Sequence, residues 1–188
     1  MEYRYPATLE PDEEGRFLVR FADLPEALTD GADLAEALVE AADCLSEALA
    51  SRIVDGEEIP RPTEARTDQH IISPSPTIAL KAALYMALRH RDMTVADLAA
   101  RLDMDWHQAA RLIDPRRASK LTSLAAALGA LECQIRLSVY DPDEIDARLD
   151  AQLRAHRSRS GRVPPLVRSR PEGDEARAPE RSSEGQSS

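Results

Sequence analysis

Apolar and polar residues alternate at the start of the chain, where Tyr3, Tyr5, Ala7 and Leu9 occupy every second position. That is the period of a half-buried strand. The acidic run Pro11-Asp12-Glu13-Glu14-Gly15 predicts a turn. Residues 16–21 resume as a second strand, and residues 27–29, after the Leu24-Pro25 break, are long enough only for a short edge strand. The pattern then changes to a helical period: Leu34, Leu38, Ala41, Leu45, Leu49 and Ile53 fall on one stripe that should pack on the sheet. Asp33 with Glu36 opens this helix and Gly56 ends it. Pro60, Pro62 and Pro74 forbid another long helix before residue 75, while His70-Ile71-Ile72 predicts a fourth strand. The βββαβ order points to an α+β module.

Ser73-Pro74-Ser75-Pro76 is the expected linker, with Pro76 suited to the first turn of a following helix. From 77 to 129 the pattern is helical throughout. Two cap pairs, Thr94 with Asp97 and Asp105 with Gln108, start helices eleven residues apart, predicting helices over 95–102 and 106–113 joined by a turn at 103–105. This is the spacing of a helix-turn-helix DNA reader. Leu98, Ala99, Leu102, Met104, Ala109 and Leu112 would close the core between the helices. Trp106, His107, Gln108 and Arg111 would then face outward near the start of the second helix, where Gln suits adenine and Arg guanine through paired hydrogen bonds. Trp106 equally suits a core or dimer position, and His107 has a role only through its place on the helix. Arg116, Arg117, Ser119 and Lys120 follow in a loop suited to holding phosphate. Asp103 stands where such turns usually carry Gly, so a left-handed, somewhat strained residue is expected there. Asp103, Asp105 and Asp114 lie near the same face, so a single copy should bind weakly and pairing of copies is expected. Further on, residues 135–139 predict a short strand, 141–157 an amphipathic helix, and 158–188, rich in Arg, Ser, Pro and Glu, a disordered tail.

Charge sharpens this division. The net charge of −10 is unpromising for a nucleic-acid binder until it is resolved along the chain. Residues 1–72 hold 18 acidic and 6 basic residues, residues 73–140 hold 6 and 9, and the remainder is nearly balanced. An acidic module suits a basic partner and a mildly basic one suits phosphate. No apolar run approaches the ~20 residues of a membrane span, and MEYRYPATLEP lacks the features of a secretory signal. A cytoplasmic protein with no membrane partner is expected. Cys44 and Cys133 lack the neighbours of a metal or redox motif and are expected to be reduced core thiols. His70, His90, His107 and His156 are scattered, and none pairs with a cysteine at nucleophile spacing. Asp12, Asp23 and Asp30 could in principle gather around a divalent metal, but turn and cap roles account for them better. No catalytic residue, metal or cofactor is expected.

The segment FADLPEALTDGADLAEALVEAADCLSEAL, residues 21–49, resembles the HicB antitoxin family, which carries a Phe-x-Asp-Leu-Pro and Thr-x-Gly strand pair followed by an Ala-rich helix. Phe21, Asp23, Leu24, Pro25, Thr29, Gly31, Glu36, Ala37 and Ala41 fit, as do Tyr5-Pro6-Ala7 and Ile59-Pro60-Arg61-Pro62. Leu98-Ala99, Arg111-Leu112, Asp114-Pro115, Lys120-Leu121 and Ala127-Leu128-Gly129 are similar to the helix-turn-helix of one HicB subclass. The resemblance covers about residues 3 to 140. It implies a partial ribonuclease-H-like N-terminal domain without nuclease activity over 1–72, a linker at 73–76, and a DNA-binding domain over 77–140. It also implies an antitoxin that neutralises a HicA-type mRNA-cleaving toxin and represses its own operon as a homodimer or tetramer. Toxin contacts would lie at Glu10, Asp12, Glu13, Glu14, Phe21, Asp23 and Leu24. A regulator of the same family that has no toxin partner is the alternative.

Overall fold

A computed structural model of the chain describes residues 2–136. Within it the elements run β1 (Tyr5–Pro11), β2 (Phe17–Phe21), β3 (Leu28–Gly31), α1 (Leu34–Asp55), β4 (His70–Ile72), α2 (Pro76–Arg89), α3 (Val95–Arg101), α4 (Trp106–Ile113) and α5 (Leu121–Ala130). The fold is mixed α+β, with one four-stranded antiparallel sheet in the order β3-β2-β1-β4.

Local chemistry sets the boundaries. The turn after β1 closes on Asp12, whose Oδ1 accepts from the backbone N–H groups of Glu14 and Arg16, both at 2.9 Å. Gly15 supplies the positive φ of 84° that this turn requires. β1 includes Pro11 and starts at Tyr5 rather than Tyr3, whose side chain nevertheless packs on the core. β3 starts one residue later than expected because the Ala27 N–H donates to Leu24 O at 2.9 Å, bending the chain, and it continues to Gly31. Asp33 caps α1 by accepting from Glu36 N, while Glu36 reaches back to Ala32 N, and Gly56 ends the helix in the left-handed region at φ 72°.

Period-two burial on the sheet meets period-3.6 burial on α1. Tyr5, Ala7, Leu9, Val19, Phe21 and Ile72 pack against Ala37, Ala41, Leu45, Leu49 and Ile53. Of the expected α1 stripe, Leu34 and Leu38 are only partly covered, and the buried Ala37 takes the central place in the first turns. A second core joins Leu84, Ala87 and Leu88 of α2 to Leu98, Leu112, Leu124, Ala127, Leu128 and Leu131. α2 therefore serves both cores, since its Ala82 and Met86 belong to the first.

α2 is tied to α1 at both ends. Ser75 caps α2 with its hydroxyl and donates its own N–H to Ser46 Oγ of α1 at 2.9 Å. Near the other end, Tyr85 OH donates to Glu57 O at 2.7 Å and Arg89 Nη1 to Gly56 O at 2.9 Å. These two bonds also satisfy carbonyls left open where α1 stops. No helix among the described residues is long and apolar enough to cross a membrane. Ile135 and Arg136 lie in no regular element. Residues 137–139 of the expected strand, the helix expected over 141–157 and the tail expected over 158–188 lie outside the described residues.

Candidate nucleic-acid interface

Two short helices make up the candidate reading unit, and their caps are local. Thr94 Oγ1 accepts from Asp97 N at 3.2 Å while Asp97 Oδ2 accepts from Thr94 N at 2.7 Å, a reciprocal capping box at the start of α3. The Thr94 N–H, and then the Thr94 hydroxyl, which also donates to Asp97 Oδ2 at 2.7 Å, hold the Asp97 carboxyl below the usual carboxylate range. α3 ends with Asp103 N–H donating to Ala100 O at 3.4 Å and Met104 N–H to Ala99 O at 3.1 Å. This is the Schellman arrangement, and it needs a left-handed residue at the first position beyond the cap. Asp103 fills that position at φ 50°, as its place in the sequence led us to expect. Asp105 then caps α4, its Oδ1 accepting from Gln108 N at 2.9 Å. Leu98, Ala99, Ala109 and Leu112 are buried between the helices, with Leu102 and Met104 partly so.

Burying Ala109 and Leu112 leaves the opposite side of α4 outward. Trp106 is 53 % exposed, its ring edge-on to His107 with centroids 5.2 Å apart. His107, Gln108 and Arg111 are exposed as well. His107, Arg111 and Asp114 follow one another at helical spacing and, with Ala110 and Arg117, line a surface concavity of about 420 Å³. The loop to α5 brings Arg116, Arg117 and Lys120 to the surface. It is shaped by Asp114, whose Oδ1 accepts from Arg116 N at 2.9 Å and whose Oδ2 lies 3.7 Å from Arg117 Nε. Ser119 turns inward: its hydroxyl accepts from Lys81 Nζ at 2.9 Å and donates to Arg111 O at 3.3 Å.

Lys81 escaped sequence reasoning. It sits in the apolar run TIALKAALYMAL of α2 and has no exposed surface at all. Its ammonium contacts three backbone carbonyls of the α4 end and the following loop: Asp114 O at 2.7 Å, Arg117 O at 2.9 Å and Arg111 O at 3.2 Å. A single cation inside an apolar stripe was the available signal, but helical periodicity alone does not tell a snorkelling lysine from a buried one.

In the first module the expected toxin contacts separate into two groups. Phe21 is 2 % exposed and Leu24 fully buried, both in the core under α1, so as partner contacts they are corrected: neither can meet another protein without opening the sheet. Glu10, Asp12, Glu13 and Glu14 are exposed at the β1–β2 hairpin, with Glu10 paired to Arg20 at 3.2 Å. Asp23 Oδ2 accepts from Thr63 N at 3.0 Å and Thr63 Oγ1 at 3.2 Å. Asp12 is engaged in its own turn and Asp30 pairs with Arg16, so the three carboxylates do not converge. Among the described residues no His, Cys, Asp and Glu group is arranged to hold a metal. Cys44 and Cys133 are free and partly buried, and burial pushes the Cys44 thiol up.

Residues 4–83 match a family model described as the HicB_like antitoxin of bacterial toxin-antitoxin systems. Similarity to whole proteins runs further. "Antitoxin HicB" of Escherichia coli (strain K12) is 35 % identical over 134 residues, covering 71 % of this chain and 97 % of that protein. "Antitoxin HicB 1" of Photorhabdus laumondii is 35 % identical over 136 residues, covering 72 % and 86 %, and "Antitoxin HicB 2" of the same organism is 33 % identical over 134 residues, covering 71 % and 94 %. Each alignment is longer than the span 4–83, so part of the likeness lies in the chain beyond the family model. With a sheet-and-helix module carrying the Phe21 to Ala41 motif and relatives matched along nearly their whole length, the chain belongs to the HicB antitoxin family.

Proposed function

We propose that the protein is an antitoxin that silences a HicA-type RNA-cutting toxin and represses its own operon by binding operator DNA. Relatives named antitoxins and matched over almost their entire length are the observation that carries the reading. The acidic hairpin, with Glu10, Asp12, Glu13 and Glu14, is the surface we assign to the toxin, together with Asp23 beyond the opposite end of β2. The excess of 18 acidic over 6 basic residues in 1–72 suits a basic, RNA-binding partner. We read the βββαβ module as the partial ribonuclease-H-like domain of the family, serving as a docking scaffold and catalysing nothing.

For the operator half, α3 and α4 are read as a helix-turn-helix. Trp106, His107, Gln108 and Arg111 would reach base edges, while Arg116, Arg117 and Lys120 would meet phosphate, with Ser119 shaping the loop that carries them. Copies would pair as a dimer or tetramer so that two α4 helices lie about one DNA turn apart, roughly 34 Å.

Co-expression with the product of the adjoining short reading frame tests the first half: a stable complex and rescue of growth are expected. A chain that binds its promoter but retains no small basic partner would make it a regulator without a toxin. For the second half, Arg111→Ala is expected to weaken specific operator binding by ~1 to 3 kcal/mol with toxin silencing intact. Equal weakening on random DNA would reassign Arg111 to the phosphates.

A further inference from the structure

A lysine with no exposed surface is rare, because an ammonium taken from water must be repaid by hydrogen bonds of good geometry. At Lys81 the compensation comes from one place. Nζ lies 2.7 Å from Asp114 O, 2.9 Å from Arg117 O, 2.9 Å from Ser119 Oγ and 3.2 Å from Arg111 O. An ammonium has three protons for these four oxygens, so the longest contact, to Arg111 O, shares one. Arg111 and Asp114 stand at the C-terminal end of α4, where carbonyls lack helical partners and the helix dipole is negative. The other two oxygens belong to the loop that carries the exposed Arg116 and Arg117.

We infer that Lys81 is a positioning residue for DNA binding: from inside α2 it gathers the end of α4 and the 114–119 loop into one rigid unit, without touching the duplex itself. The inference rests on the operator-binding reading of α4. It adds a residue from the helix shared by both cores. Loop ends without such an anchor would have to be ordered by the duplex, at a cost in affinity. Burial pushes the Lys81 ammonium below its usual range, while the nearby Asp114 charge works the other way.

Lys81→Met in the full chain removes the charge while roughly keeping the length of the side chain. Amide exchange in the free protein is expected to rise at least about tenfold across 114–119, with α1 unchanged. Operator affinity is expected to fall ~10- to 100-fold, and the slope of log affinity against log salt to shrink by about 1, although no surface charge has been removed. A purely structural lysine would lower the melting temperature yet leave the salt slope as it was. Wild-type affinity and slope in the variant, or unchanged exchange over 114–119, overturns the inference.

If Lys81→Met does not fold, Ser119→Ala, which removes one of the four oxygens at a half-buried site, is read by exchange alone: faster exchange over 114–118 supports the anchor and unchanged exchange refutes it. If the wild-type chain itself fails to bind its promoter, the operator reading falls and the DNA role of Lys81 with it. The exchange measurement then still decides whether Lys81 holds the loop.

Discussion

Tyr3, just ahead of the first strand, and Tyr5, its first residue, carry phenols that resist ionisation. Burial, and then the neighbouring Cys133, pushes Tyr3 up to about 12, and burial pushes Tyr5 higher still, its hydroxyl donating to Pro60 O at 2.7 Å. A group whose pKa is raised by folding contributes stability that is complete below its unfolded pKa and is lost as pH climbs through the folded one. For Tyr3 the window is pH 10 to about 12. Denaturant titrations are therefore expected to show stability falling across this window, and falling less in Tyr3→Phe. Lys81, depressed by burial, acts oppositely below its unfolded pKa, so the comparison with Tyr3→Phe isolates the phenol. Identical slopes for the two proteins would mean that Tyr3 ionises in the fold as easily as in the unfolded chain.

Two glycines make different demands on the backbone. A Cβ at Gly31 would sit 2.3 Å from Ala37 N and 2.6 Å from Ala37 Cα, against backbone that cannot give way, because α1 starts directly over the end of β3. Gly56 has open space around it and is constrained only by its φ of 72°. Gly56→Ala is expected to cost ~1 to 2 kcal/mol, the left-handed penalty alone. Gly31→Ala should cost more than Gly56→Ala, at or above the ~1 to 3 kcal/mol of an overpacked core. Thermal melts of the pair order the two effects; the reverse order would contradict the close approach of β3 and α1.

Among the elements, α4 depends most on its ends. It has only eight residues, too few to be stable without caps and packing. Asp105 supplies the first cap and also places a negative charge beside the proposed DNA face. The two roles are separable. Asp105→Asn keeps an acceptor for Gln108 N, so stability should change little, while loss of the charge should strengthen DNA binding and steepen its salt dependence. Asp105→Ala should cost ~1 kcal/mol of stability. If Asn and Ala destabilise equally, the cap is not made by the Asp105 side chain.

At the scale of the whole molecule, α2 joins the two cores, with Ala82 and Met86 in one and Leu84, Ala87 and Leu88 in the other. Its ends are tied to α1 through Ser46, Glu57 and Gly56. Residues 2–136 should therefore unfold together. The single tryptophan, Trp106, reports on the α4 side, while far-ultraviolet circular dichroism sums over all the helices of the described residues, of which α1, with 22 residues, is the longest. Denaturant midpoints from the two probes are expected to coincide. Separate transitions would mean that α2 melts with one core while the other persists.

Much of this architecture was legible along the chain, because it rests on short-range chemistry. Period-two and period-3.6 burial marked β1, β2 and α1, cap residues marked the starts of α1, α3 and α4, and Gly56 marked the end of α1, to within a residue or so. The left-handed Asp103 followed from turn geometry, and the outward residues of α4 followed from which of its neighbours are apolar. Other features depend on which distant segments meet, and spacing carries no information about that. Phe21 and Leu24 turned into the core, Gly31 met the α1 backbone, and α2 was shared by two cores. Lys81, an ordinary lysine by its neighbours in sequence, became a buried cation only because the carbonyls of residues 30 to 36 positions away folded back around it.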